Sequence, residues 1–267
     1  MTAVHQLEST LRSLKLSGML DTLDARLVQA RAGERGHQQF LQVLCEDELS
    51  RRAATAVTRR VKAARFDEQV SLEEFDFTAS AKLPIHAIRD LATLRFLERG
   101  ESVVLHGPVG VGKSHIAQAL GNAACRRNLS VTFLKASRAL AHLAGGHADR
   151  TWNARLRKLA AVDLLILDDF GVRAFTDAQA DDLYELITER VGRSTIYTAN
   201  RTQADWYPLF PNPVIAESLL DRLVNTSHVL LMDGPSYRPR KRPARVSPQT
   251  KEAAADQPAR ADPWGIA

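Results

Sequence analysis

The sequence predicts an α/β protein in which a parallel five-stranded sheet, with helices on both faces, follows a small all-helical segment. Three observations lead there. Leucines recur at helical spacing near the start of the chain. From residue 101 onward, short apolar runs alternate with helical segments. A glycine-rich loop, Gly107-Pro108-Val109-Gly110-Val111-Gly112-Lys113-Ser114, joins the first of those runs to a helix.

Residues 1 to about 70 read as helical. Leu7, Leu11 and Leu14 share a helix face, and Leu20, Leu23 and Leu27 resume the pattern after Ser17-Gly18 interrupts it. Ala32-Gly33-Glu34-Arg35-Gly36 reads as a turn, and a longer helix runs from about His37 to Arg65, with Phe40, Leu44, Val57 and Val61 as apolar positions. Its charges are polarised. Glu46, Asp47 and Glu48 come first; Arg51, Arg52, Arg59, Arg60, Lys62 and Arg65 follow with no acid among them. One reading is a solvated face in which Asp47 and Glu48 pair with Arg51 and Arg52. The other is a stripe that meets nucleic-acid phosphates, where cations gain affinity by displacing counterions. No aromatic residue interleaves these charges, which argues against base stacking on single strands.

Ser71-Leu72-Glu73-Glu74 matches a capping box, and with Phe75-Asp76-Phe77 it forms the linker to the second part of the chain. Strands are expected near 102–106, 131–135, 164–168, 194–198 and 228–232. Helices are expected over 113–127, 137–144, 151–160, 177–192 and 214–225, and Thr176 with Gln179 caps the fourth of these. After Met232 the chain turns proline-rich and basic, and from about residue 240 its composition suits disorder. The resulting division is a helical domain over 1–75, an α/β domain over 76–239 and a basic tail over 240–267.

Bulk composition sets bounds on the class. The 267 residues are 45% hydrophobic and 25% charged with a net charge of +5, ordinary for a globular chain and compatible with an anionic partner. No apolar run is long enough to cross a bilayer, and Met1 to Ser9 has no secretory character, so the expectation is a cytoplasmic protein without a membrane partner. Cys45 and Cys125 are the only cysteines, and no Cys/His cluster has zinc-ligand spacing.

The loop from Gly107 to Ser114 fits G-x-x-x-x-G-K-[ST] at every fixed position. Glycines let backbone N–H groups wrap phosphates, Lys113 brings a cation to the β- and γ-phosphates, and the Ser114 hydroxyl suits Mg²⁺. The flanking pattern supplies the required context. Val103-Val104-Leu105 is a strand leading into the loop, and Ile116, Ala117 and Leu120 continue it as a helix whose N-terminal dipole favours anions. ATP and Mg²⁺ are therefore the expected cofactors. Leu164-Leu165-Ile166-Leu167-Asp168-Asp169 is a buried strand ending in carboxylates, which makes Asp168 the metal-linked acid and places Asp169 to polarise a water. Most ATPases of this design carry Glu at the second position, and the shorter Asp leaves the hydrolysis rate open. Thr195-Ile196-Tyr197-Thr198-Ala199-Asn200 ends another strand on a polar residue, and Asn200 suits the γ-phosphate or the water. His106 and His115 flank the loop as packing residues.

Taken together, these residues resemble the AAA+ superfamily, and within it the IstB/DnaC-like ATPases, most of all the IstB-like helpers of insertion-sequence transposition. The resemblance runs to about Arg238. Its marks are Leu14-Lys15-Leu16-Ser17-Gly18-Met19, Phe75-Asp76-Phe77, Gly112-Lys113-Ser114-His115, the segment from Asp163 to Gly171, and Asp221-Arg222-Leu223 ahead of Ser236-Tyr237-Arg238. The Asp168-Asp169 pair is usual in that subgroup. The resemblance implies a sheet ordered 5-1-4-3-2, self-assembly with ATP held between neighbouring subunits, and a trans-acting arginine finger at Arg222. Arg190 and Arg238 are weaker candidates for the interface or the nucleotide. The residues left after the last strand are too few and too proline-rich for a C-terminal helical lid or a C-terminal DNA-binding domain.

The leading expectation is an ATP-binding and ATP-hydrolysing oligomer that binds double-stranded DNA and helps a cognate transposase select its target. A DnaC-like helicase loader and an ATP-binding adaptor with little hydrolysis are the alternatives. A small-molecule kinase fits least, for want of an acceptor pocket.

Overall fold

The computed structural model describes residues 3–33, 36–80 and 82–236. Tyr237, Arg238 and the tail over 240–267 lie outside them, as does the expectation about a lid. Helices α1 (Ala3–Ser13), α2 (Ser17–Arg31) and α3 (His37–Ala64) come first. Their common core is small: Leu11, Leu23 and Leu44 are buried, with Leu16, Met19, Leu20, Leu27 and Phe40 packed around them. So few buried side chains leave much of the specification to polar contacts. Glu48, 3% exposed, accepts from the Gly18 N–H at 2.6 Å, from Arg51 at 2.9 Å and from Arg52 at 2.6 Å. Asp47 accepts from Arg26 of α2 at 2.9 Å.

These contacts correct the reading of Ser17-Gly18 as a helix break. The break falls before it, at Lys15 with φ 58°, and Gly18 lies inside α2. There a Cβ would sit 2.8 Å from the Glu48 Cα, so glycine is what lets α3 approach.

The expected capping box at Ser71 opens no helix. Residues 71–76 form turns, and Val70 and Phe75 are buried. The segment lies along α6 (Lys113–Arg126), with Asn122 donating to the Val70 carbonyl at 3.0 Å and the Glu68 N–H donating to Gln118 at 3.0 Å. A short 3₁₀ turn (Phe77–Ala79), α4 (Ile85–Ala92) and α5 (Arg95–Glu98) follow, none of them expected from the sequence.

The second part alternates as expected: β1 (Ser102–His106), α6, β2 (Val131–Lys135), α7 (Ala136–Asp149), α8 (Trp152–Ala160), β3 (Leu164–Phe170), α9 (Asp177–Glu189), β4 (Ser194–Ala199), α10 (Pro213–Asn225) and β5 (Ser227–Leu231). The strands pair in parallel in the order β2-β3-β4-β1-β5, which is the implied 5-1-4-3-2 arrangement. Val103, Val104, Leu105, Leu164, Leu165 and Ile166 are fully buried, as expected of strands covered on both faces. The chain leaves β1 for β2 on one side and returns as β4 between β1 and β3. That reversal opens a crevice at the carboxyl ends of the strands, where ligands of open α/β sheets bind. No helix among the described residues is long and apolar enough to cross a membrane.

Candidate functional site

The glycine-rich loop leaves β1 at that crevice. At Gly107, φ is +144° and a Cβ would lie 2.0 Å from the Met232 carbonyl oxygen, so no side chain fits. The Met232 N–H donates to the His106 carbonyl at 2.7 Å, which carries the chain from β5 past the loop. Ser236 then abuts Gly110, and the Phe75 ring abuts Gly112. Phe75 meets Phe77 edge-on at 4.9 Å and His115 at 5.3 Å. Two segments remote in sequence therefore wall the loop.

The polar groups converge beside it. Lys113, the first residue of α6, donates to the carbonyls of Gly107 at 2.8 Å and Pro108 at 2.7 Å. Asp168, 4% exposed, receives two hydroxyls on Oδ1: Ser114 Oγ at 2.6 Å and Thr198 Oγ1 at 2.6 Å. Thr198 Oγ1 also accepts the Asp169 N–H at 3.0 Å. Asp169 has a left-handed backbone, φ 57°, at the register shift between β3 and β4. The irregularity gives the two adjacent acids different partners. Asp168 meets Ser114 and Thr198, whereas the Asp169 carboxylate lies 3.3 Å from the ammonium of Lys135, at the end of β2. Burial and the nearby Lys113 charge hold the pKa of His106 below its ordinary value.

Asn200 directly follows β4, and the Ala199 carbonyl accepts the Gly107 N–H at 3.2 Å. The structure thus brings the loop, Asp168, Asp169 and Asn200 to one edge of the sheet. Arg222 does not join them. It donates to Thr188 at 2.6 Å, lies 5.3 Å over the Tyr184 ring, and lines a cavity of about 520 Å³ with Ser102 and Thr195, at the amino ends of β1 and β4. Arg190 is corrected to a structural role. It is 4% exposed, donates to Thr195 and to the carbonyls of Leu159, Ala160, Val162 and Ser194, and burial lowers its pKa to about 10.

Four participants escaped the sequence reading: Thr198, Lys135, Phe75 and Ser236. Thr198 carried a signal, being a polar residue in a strand buried throughout. Phe75 and Ser236 stood out only as marks of the family resemblance; their place beside the loop was not readable, because their contacts join distant parts of the chain.

The loop's shape and its donor set fit a nucleoside triphosphate with a magnesium ion. Glycines leave room for backbone approach, and a hydroxyl and a carboxylate lie side by side as hard oxygen donors. Comparison with known proteins decides the family: residues 9–244 match the model of the IstB-like ATP-binding proteins. The chain belongs to that family. An IstB-like relative of Mycobacterium tuberculosis, described as an ATP-binding protein in an insertion sequence, is 61% identical over 90% of this chain and 97% of its own. A second, described as an ATP-binding protein of the insertion sequence IS21 in Pseudomonas aeruginosa, is 34% identical over 88% of this chain and 89% of its own. Among solved structures, DnaI superposes with a TM-score of 0.55 at 24% identity over 62% of this chain and 92% of its own. The DnaC helicase loader gives 0.52 at 20% identity over 65% of this chain and 99% of its own. The IstB-like chain therefore has the AAA+ fold.

Proposed function

We propose that this protein binds ATP with Mg²⁺ at the loop, hydrolyses the ATP, and uses the nucleotide state to control its assembly on duplex DNA in the service of a transposase. The observation that carries the proposal is the pairing of Ser114 and Asp168 at 2.6 Å directly beside a complete phosphate loop. The insertion-sequence origin described for the relatives supports the transposase as partner.

Each residue has a part. Backbone N–H groups of Val109, Gly110, Val111, Gly112 and Lys113 wrap the phosphates, while Gly107, whose N–H is held by the Ala199 carbonyl, and Pro108, which has none, shape the turn that presents them. The Lys113 ammonium exchanges the Gly107 and Pro108 carbonyls for the β- and γ-phosphates. Ser114 and Asp168 would hold the metal, and Thr198 fixes the Asp168 carboxylate through the same oxygen that meets Ser114. When bound, the metal neutralises charge on the transferring phosphoryl group. Asp169 orients and deprotonates the attacking water, with Lys135 holding its carboxylate beforehand, and Asn200 positions the same water. Arg222, remote from its own loop, serves as the finger for a neighbouring subunit's site.

The test compares duplex-DNA binding with ATP, with ADP and with a non-hydrolysable analogue. The proposal expects binding in the triphosphate states, release as ATP is hydrolysed, and capture of the transposase by the DNA-bound form. Nucleotide-independent behaviour, or a stable complex with a replicative helicase in place of DNA binding, would overturn it.

A further inference from the structure

The charges on α3 divide into two groups with different surroundings. Arg51 and Arg52, in its middle, share Glu48 as an ion-pair partner, and Asp47 is satisfied by Arg26. Arg59, Arg60, Lys62 and Arg65, at its end, have no such partner: among the described residues no carboxylate lies within ion-pair distance of any of them. Arg60 donates only to the neutral amide of Asn128, at 3.0 Å.

This end of α3 runs beside β2, an edge strand of the sheet. Between α3, β2 and the helices α7 and α8 lies a groove of about 850 Å³. The four cations of α3 line one wall; Arg138 of α7 and Lys158 of α8 line the other, likewise without a carboxylate partner among the described residues. Among the described residues, no acidic residue and no Phe, Tyr or Trp lines it. His142, also in the lining, has its pKa lowered by burial first and then by Arg155, Lys158 and Arg65. Cations from three separate elements thus face a single channel. Isolated surface charges scattered for solubility would be interspersed with acids.

We infer that this groove is the surface on which the protein holds the sugar–phosphate backbone of duplex DNA, without regard to sequence. Unpaired guanidinium and ammonium groups suit phosphate oxygens, and each phosphate they neutralise releases condensed counterions. With no Phe, Tyr or Trp among the described lining residues, the groove lacks the broad platforms on which unpaired bases stack, which favours a duplex over a single strand. The inference rests on the DNA-binding part of the proposed function and assigns it to residues on both sides of the groove.

The experiment uses the full chain with ATP and a labelled random-sequence duplex, and measures affinity across a salt series. Two double variants each remove two cations from one wall: Arg59→Ala with Lys62→Ala, and Arg138→Ala with Lys158→Ala. Arg89→Ala with Arg95→Ala, exposed positions of α4 and α5 outside the groove, serves as control. Thermal melting and nucleotide binding verify that every variant keeps its fold. Each lost phosphate contact reduces affinity roughly fivefold at 0.15 M salt, so either wall pair lowers it about twenty-fivefold and flattens the log–log salt slope by about 2. The control pair leaves both unchanged.

Unchanged affinity and slope in the wall variants, while the unaltered protein binds the duplex, overturns the groove and leaves DNA binding standing. Failure of the unaltered protein to bind duplex in any nucleotide state overturns both. Binding to polyglutamate, weakened by the wall variants while duplex binding is not, assigns the groove to an acidic protein and also overturns the inference.

Discussion

Replacing Thr198 with valine removes one hydroxyl and leaves the shape of a fully buried strand position almost unchanged. That hydroxyl makes two bonds at once, donating to Asp168 Oδ1 at 2.6 Å and accepting the Asp169 N–H at 3.0 Å. The first is charge-assisted and contributes about 1.5–3 kcal/mol; the second, once lost, leaves a backbone donor unsatisfied at about 1 kcal/mol or more. The added methyl recovers a fraction of this, so Thr198→Val is expected to cost about 2–3 kcal/mol of stability, or a fall of roughly 4–12 °C in Tm for a domain of this size. The functional consequence is more specific. Asp168 keeps Ser114 but loses its other anchor, so the Mg²⁺ concentration needed for half-maximal ATP hydrolysis rises, by about tenfold if the anchor behaves like other supports of metal ligands. Metal-free nucleotide affinity stays unchanged. Thr198→Ser restores the hydroxyl and should recover the metal requirement. Differential scanning calorimetry and a Mg²⁺ titration of turnover are the assays. Unaltered stability together with an unaltered Mg²⁺ requirement in Thr198→Val would refute the reasoning.

Gly107→Ala should abolish nucleotide binding and destabilise the fold by more than about 2 kcal/mol, because a Cβ there meets the Met232 backbone and not a yielding side chain; normal equilibrium binding of a labelled nucleotide contradicts this. Arg190→Met strips the donors from several buried carbonyls and should cost at least about 3 kcal/mol in denaturant unfolding, with ATP turnover per folded molecule preserved. Acid should act on the helical segment through Glu48, whose pKa falls from an ordinary 4.5 to about 2, chiefly through its hydrogen bond to Arg51, with Arg52 and the Gly18 N–H adding to it against the opposing effect of burial. A depressed carboxylate stabilises the fold above its unfolded pKa and loses that contribution as pH falls through the folded value, so the loss belongs between about pH 4.5 and 2. Glu48→Gln should be less stable at neutral pH and flatter across that window by thermal melting; parallel pH profiles for the two proteins would count against it.

The sheet was legible because a parallel strand covered on both faces must be apolar along its whole length, and Val103-Val104-Leu105 and Leu164-Leu165-Ile166 are. The loop was legible because phosphate binding by backbone amides demands glycines at fixed spacing. What escaped has a common cause. Gly18 reads locally as a helix break, yet its role is to admit Glu48 from a helix thirty positions away. Ser71 with Glu74 satisfies the pattern of a cap, yet Val70 and Phe75 are drawn into packing against α6 and the loop, and the helix never forms. Lys135 reads as an ordinary strand-end charge until the register places it opposite the Asp168 turn. In α3 the sequence offered two readings of one basic stripe, and the structure divides it: Arg51 and Arg52 belong to an internal network, and the cations beyond them face a groove.

Asp169, set apart from Asp168 by the register shift, is proposed to perform the chemistry of hydrolysis and not the binding. Asp169→Asn tests it in one measurement of ATP turnover at saturating Mg²⁺, with nucleotide affinity determined on the same samples. Affinity should stay within about threefold of the unaltered protein and turnover should fall by about 10²–10⁴-fold, the range for loss of a general base. Undiminished turnover, or turnover lost only because the nucleotide no longer binds, would contradict it.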